Sequence, residues 1–89
     1  MELSVVIPVY DESANIYPLY DRLTAALARL TVSYELIFVN DGSRDDTLAR
    51  IKALAQRDAQ VLFIDFSRNF GQQVAVTAGL DHARGAAVV

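Results

Sequence analysis

Three apolar runs, each broken by a short polar loop and followed by a helix-like pattern, constrain this chain more than any other feature. Leu3 to Val9 is β-branched and almost continuously apolar, the pattern of a strand covered on both faces. Tyr34 to Val39 and Val61 to Phe66 repeat that pattern, and Ala86 to Val89 opens a fourth run. With helical segments between them the order is βαβαβαβ. Such alternation predicts an α/β protein with a parallel sheet, right-handed crossovers and helices on the sheet faces. All the loops that follow the strands then collect on the carboxyl edge, where open α/β sheets bind ligands.

The intervening segments carry their own signals. After the first strand, Asn15 is expected to cap a helix whose first turn includes Pro18, where a missing N–H costs little. Ile16, Leu19, Tyr20, Leu23, Leu27 and Leu30 recur in steps that mark one helical face. Ser43 is expected to cap the second helix, with Asp45 and Asp46 favourable against its positive end, and Leu48, Ile51, Leu54 and Ala55 to form its buried stripe. The third helix, from about Gly71 to Arg84, places Ala75, Ala78, Gly79 and Ala83 on or near one face, so that it can lie close to the sheet. Gly85 suits a helix stop. Pro8, unable to donate to a ladder, is expected at a strand end or bend. The closing apolar run predicts a sequence that continues beyond it.

At 89 residues the chain is one small domain at most, with a core of little margin. Apolar content of 53% alongside 21% charge argues against disordered and fibrous classes. A net charge of −3 gives no electrostatic reason for nucleic acid or an anionic membrane as partner. Without cysteine there is no disulfide, thiolate metal site or cysteine nucleophile. No signal-like amino terminus or run long enough to span a bilayer is evident, so the expectation is a soluble, cytoplasmic chain.

The loops hold the chemistry. In Pro8-Val9-Tyr10-Asp11-Glu12 the tyrosine ring could stack on a base, and a carboxylate could accept hydrogen bonds from ribose hydroxyls. The same residues also read as an ordinary strand-to-helix turn with acids near a helix start. In Asn40-Asp41-Gly42-Ser43, Asp41 would suit the ring N–H of uracil or guanine, and Gly42 permits positive φ and close backbone approach. Asp-Gly is equally a common turn pair. In Ser67-Arg68-Asn69-Phe70-Gly71, Arg68 could pair with a diphosphate or ribose, or simply balance nearby acids. Asp11, Glu12, Asp41, Asp45, Asp46 and Asp65 crowd this edge with mainly Arg44 and Arg68 against them, so a diphosphate there would need a screening cation. His82 carries no expected catalytic role.

Taken in order, these pieces resemble the amino-terminal half of a family 2 glycosyltransferase of the GT-A type. They are Ser4 to Glu12 with Asn15-Ile16, then Asn40 to Ser43 with Asp46-Thr47, then Ser67 to Gly71 through Ala78 to Gly85. The last stretch is similar to the branch acting on polyprenyl phosphates. The resemblance implies a Rossmann-like three-layer α/β/α sandwich and a donor that is a UDP- or GDP-sugar. Pro8, Tyr10, Glu12 and Asp41 would hold its base and ribose, with Val9 and Arg68 as further lining residues. It also implies a D-x-D motif after the fourth strand that binds Mg²⁺ or Mn²⁺, beyond this sequence. No catalytic or metal residue is thus expected within the chain. Asp11 stands where the family more often has Asn.

The implied reaction is sugar transfer with inversion, to a lipid phosphate or a saccharide, at the cytoplasmic face of a membrane in a full-length protein. A lipid phosphate is already an anion and needs little base catalysis, whereas a hydroxyl acceptor would need a carboxylate base. The competing reading is a receiver-like phosphoacceptor module, with Asp11 and Glu12 on Mg²⁺ and Asp65 taking phosphate; it shares the alternating order, so fold alone is not expected to separate the two. A sheet edge at the fourth strand also invites self-association.

Overall fold

The computed structural model describes residues 2–66, 68–85 and 87–88. Four strands, β1 (Leu3–Val9), β2 (Tyr34–Asp41), β3 (Val61–Phe66) and β4 (Ala87–Val88), alternate with α1 (Ser13–Ala28), α2 (Thr47–Arg57) and α3 (Gln72–His82). Every pairing is parallel, in the order β3-β2-β1-β4. Ala86 and Val89 of the expected fourth run, and Ser67 of the third loop, lie outside the described residues.

Two apolar clusters separate three layers. Val9, Ile16, Leu27, Leu36, Phe38, Ile51, Leu54 and Val61 form the larger one, joining α1 and α2 to one face of the sheet. Ile37, Val39 and Ala75 form the smaller one beneath α3 on the other face. Alternate residues of β2 feed the two clusters, and this strand is buried almost end to end. β1, expected to be covered on both faces, is fully buried only at Ser4 and Val9, because beyond Ser4 no described strand flanks it on the β4 side. Pro8 is next to the last residue of β1, at the strand end expected of a residue that cannot donate to a ladder.

α3 lies close to the sheet, as its small residues predict. A Cβ at Gly79 would stand 2.2 Å from a Val6 methyl carbon, so only glycine fits there. Ala75 is fully buried on the same side.

The starts of α1 and α2 differ from expectation, because their end groups find partners far away in the chain, whereas α3 begins after Gly71 as expected. α1 begins at Ser13, and Asn15 is inside it, donating from Nδ2 to Glu12 Oε2 at 2.8 Å. Pro18 consequently falls in the second turn, where it removes the bond residue 18 would give to the Ala14 carbonyl. Ser43 does not cap α2, which begins at Thr47; its hydroxyl oxygen accepts from the Asp11 N–H at 2.9 Å. Leu30 lies past the end of α1 and is exposed. Gly85 is not a helix stop of left-handed type. It is glycine because a Cβ there would stand 2.6 Å from the Ser4 nitrogen.

A polar knot at the amino edge of the sheet had no counterpart in the sequence reading. Glu35 is fully buried. It accepts from the Ser4 hydroxyl (2.6 Å), the Arg84 backbone N–H (2.8 Å) and the Arg84 guanidinium (3.2 and 3.3 Å). The Gly85 N–H in turn donates to Ser4 Oγ at 2.8 Å. Burial pushes the Glu35 carboxyl up, but these bonds together outweigh it and hold the group below the usual carboxylate range. The knot ties the beginnings of β1 and β2 to the turn that leads from α3 into β4.

Candidate nucleoside site

At the opposite, carboxyl edge, the register aligns Val9 with Asn40 and Asn40 with Asp65. The loops after β1, β2 and β3 therefore leave the sheet at one level. Pro8, Val9, Tyr10, Glu12 and Asp41 line a single cavity of about 410 Å³ there. Val9 is buried at its base, and the Tyr10 ring is partly exposed at its wall. Sequence-distant residues from the first two loops are thus brought to one concavity.

Asp41 is the most constrained of the five. It is almost fully buried, and its carboxylate accepts from the backbone N–H groups of Phe70 (2.8 Å to Oδ1) and Gly71 (3.0 Å to Oδ2). An ionised carboxylate has about four acceptor positions, so these two bonds leave capacity on both oxygens. Gly42 follows with φ of 72°, and a Cβ on it would stand 2.2 Å from the carbonyl carbon of Arg68. The second and third loops are therefore in direct backbone contact, which requires glycine at 42 on both counts.

Arg68 is not among the residues lining the cavity. It is exposed, with its guanidinium 5.0 Å from the centre of the Phe70 ring, which meets Phe66 edge-on at 5.4 Å. The Phe70 and Gly71 N–H donors had gone unnoticed in the sequence, because backbone donors carry no residue signature. Asn40 was missed as a structural residue. It is buried, donates from Nδ2 to Asp65 Oδ1 at 2.9 Å, and its own Oδ1 has no hydrogen-bond partner among the described residues.

The acidic residues outside the cavity are tied to one another's loops. The Ser13 N–H and hydroxyl donate to Asp45 and Asp46, and the Glu12 N–H donates to Thr47 Oγ1 at 3.0 Å. Bonds from the Thr47 side chain and backbone hold the Asp45 carboxyl below its ordinary range; the Ser13 hydroxyl, then Arg50, do the same for Asp46. Arg50 donates to the Ser13 carbonyl oxygen at 2.8 Å and pairs with Asp46 at 3.4 Å. Among the described residues no group of three or more His, Asp or Glu side chains is arranged to hold a metal ion, so no cation ligand set is assigned to this chain.

Strand order now separates the two readings that alternation left open. In the flavodoxin-like order of receiver domains β1 lies between β2 and β3. Here β2 lies between β1 and β3, and β1 turns outward to β4. That is the first half of the Rossmann order, whose ligand crevice opens where the winding reverses beside β1. The receiver-like alternative falls on topology.

The fold defines an α/β unit of the Rossmann-like, GT-A type. Residues 4–89 match the family described as Glycosyl transferase family 2, and the chain belongs to that family. It is 45% identical over 89 residues to the uncharacterized glycosyltransferase sll0501 of Synechocystis sp., covering all of this chain and 28% of that protein. It is 42% identical over 89 residues to the bactoprenol glucosyl transferase of Shigella phage SfV, again covering all of this chain and 29% of the relative. The chain thus spans under a third of the length of these relatives. Its fold is shared with the mannosyltransferase PcManGT of Pyrobaculum calidifontis, solved in complex with GDP-Man and Mn²⁺. The TM-score is 0.76 at 21% identity, over 98% of this chain and 26% of that one.

Proposed function

We propose that this chain is the donor-nucleoside half of a glycosyltransferase that moves a sugar from a UDP- or GDP-sugar, with inversion, to a polyprenyl phosphate. The observation that carries the reading is the convergence of Pro8, Val9, Tyr10, Glu12 and Asp41 on one cavity at the carboxyl edge. Tyr10 offers a face for the base, Asp41 keeps free acceptor positions for a ring N–H, and Glu12 can accept from ribose hydroxyls. Arg68 reaches the diphosphate only if its side chain leaves the Phe70 ring.

The polyprenyl acceptor is favoured by the likeness to the bactoprenol glucosyl transferase. A phosphate acceptor is already a nucleophilic anion and would need little help from a base. A divalent cation, Mg²⁺ or Mn²⁺, would neutralise charge on the leaving diphosphate, held by residues outside these 89. The place of work is the cytoplasm, at the membrane face where a lipid acceptor would be reached. Among the described residues no helix is long and apolar enough to cross a membrane.

Calorimetry of wild-type and Asp41→Ala protein against UDP-glucose and GDP-mannose tests the reading. The variant is expected to lose most of its affinity for whichever donor binds. Because Asp41 also holds Phe70 and Gly71, Asp41→Asn, which keeps one acceptor oxygen, is measured beside it, and circular dichroism confirms that both fold. Binding unchanged in a folded Asp41→Ala protein would overturn the assignment.

A further inference from the structure

Neither α1 nor α2 has a side-chain cap supplied by its own N-cap residue. The first N–H groups at the start of α1 are satisfied instead by the segment that opens α2: Glu12 N–H by Thr47 Oγ1 and Ser13 N–H by Asp45 Oδ2. Asp11 completes the exchange in both directions. Its N–H donates to Ser43 Oγ at 2.9 Å, and its Oδ1 accepts the Arg44 N–H at 2.7 Å. Asp11 also has φ of 50°, a left-handed conformation that Asn and Asp tolerate far better than other side chains. This residue is exposed and does not line the cavity, yet its neighbours in sequence, Tyr10 and Glu12, do. On the other side of the brace, Ser43 and Arg44 follow Asp41 and Gly42.

From this we infer that Asp11 is a positioning residue: its carboxylate and left-handed backbone lock the first loop to the second and so hold Tyr10 and Glu12 at the correct distance from Asp41. The inference rests on the nucleoside reading of the cavity and deepens it. It gives the bound nucleoside two walls whose separation is set by Asp11, Ser43 and Arg44 rather than by the strands alone.

Four variants test it: Asp11→Asn, Asp11→Gly, Asp11→Ala and Ser43→Ala, with Val61→Ala as a buried control at the start of β3, on the opposite edge of the sheet. Affinity for UDP and GDP is read by two-dimensional NMR titration of the chain, which also reports folding. Asp11→Asn keeps the acceptor oxygen and the tolerated φ, and is expected to bind like wild type. Asp11→Gly keeps the backbone but loses the acceptor, and Asp11→Ala loses both. Asp11→Ala is expected to bind about tenfold more weakly, the equilibrium factor of one lost hydrogen bond to a charged group, with Asp11→Gly between it and wild type. Ser43→Ala is expected to weaken binding in the same direction, and its effect should be non-additive with Asp11→Ala because the two bonds removed, Asp11 N–H to Ser43 Oγ and Arg44 N–H to Asp11 Oδ1, join the same two loops.

The control is expected to lose stability without losing affinity, which separates positioning from general weakening of the fold. Wild-type binding retained by a folded Asp11→Ala protein would refute the inference while leaving the cavity assignment intact. Failure of the wild-type chain to bind either nucleotide would instead refute the cavity assignment, and the inference with it.

Discussion

Replacing Glu35 by Ala tests whether the polar knot at the amino edge holds this small sheet together. The substitution strips the buried Ser4 hydroxyl and the Arg84 N–H of their acceptor, two bonds to a charged group worth about 1.5–3 kcal/mol each. The Arg84 guanidinium adds only about 0–1 kcal/mol, because its side chain is 67% exposed and solvent screens the pair. The expected loss is about 3–7 kcal/mol, set against a total of about 4–13 kcal/mol for a chain this long. Glu35→Gln, which keeps the shape and one acceptor, is expected to lose about 1–2 kcal/mol. Urea denaturation followed by circular dichroism reads both. At a slope of about 1.5 kcal/mol per molar, the alanine midpoint falls by about 2 M or more, unless the variant is already unfolded in water. The pH dependence gives an independent check. The carboxyl of Glu35 is depressed in the folded state, so its contribution is present above its ordinary value of 4.5 and is lost as pH falls through the folded value. Glu35→Gln should remove that component of acid sensitivity. A loss below about 0.5 kcal/mol in Glu35→Ala, the range of an inert surface change, would refute the reasoning.

Two further outcomes are expected. The Tyr20 hydroxyl donates to Asp58 at 2.6 Å, and this bond, burial and the Asp58 charge push the phenol up to about 12. Its stabilisation is therefore present below pH 10 and lost as pH rises toward 12. Tyr20→Phe should cost about 1 kcal/mol at neutral pH and flatten stability across that alkaline window; ultraviolet titration showing an ordinary tyrosine in the folded wild type would contradict this. We also propose that the sheet pairs edge to edge with a second copy, since β3 and β4 are its outer strands. Sedimentation velocity should then show a concentration-dependent dimer; a monomer at all concentrations would dismiss it.

The parts of the fold that were legible in the sequence are those set by periodicity. β3 spans the expected residues, β2 runs two residues further to Asp41, and the close seat of α3 follows from Ala75 and Gly79. Strand order was not legible, because alternation is equally compatible with two windings. The starts of α1 and α2 were misplaced because local pattern recognises a cap within its own loop, whereas here Asp45 and Thr47 satisfy donors more than thirty residues away. Glu35 escaped notice for the same reason: its partners Ser4 and Arg84 are remote in the chain, and a lone glutamate in a strand carries no motif. Gly85 reads in the sequence as a helix stop, where the real requirement is space against Ser4.

The bracing of the start of α1 by the segment that opens α2 has a consequence for anyone recombining this domain with its relatives. Residues 10–13 and 43–50 behave as a single part machined in two pieces, each supplying the hydrogen-bond acceptors the other lacks. A chimera that exchanges one segment alone inherits mismatched halves, whereas one that moves both together transplants a finished joint.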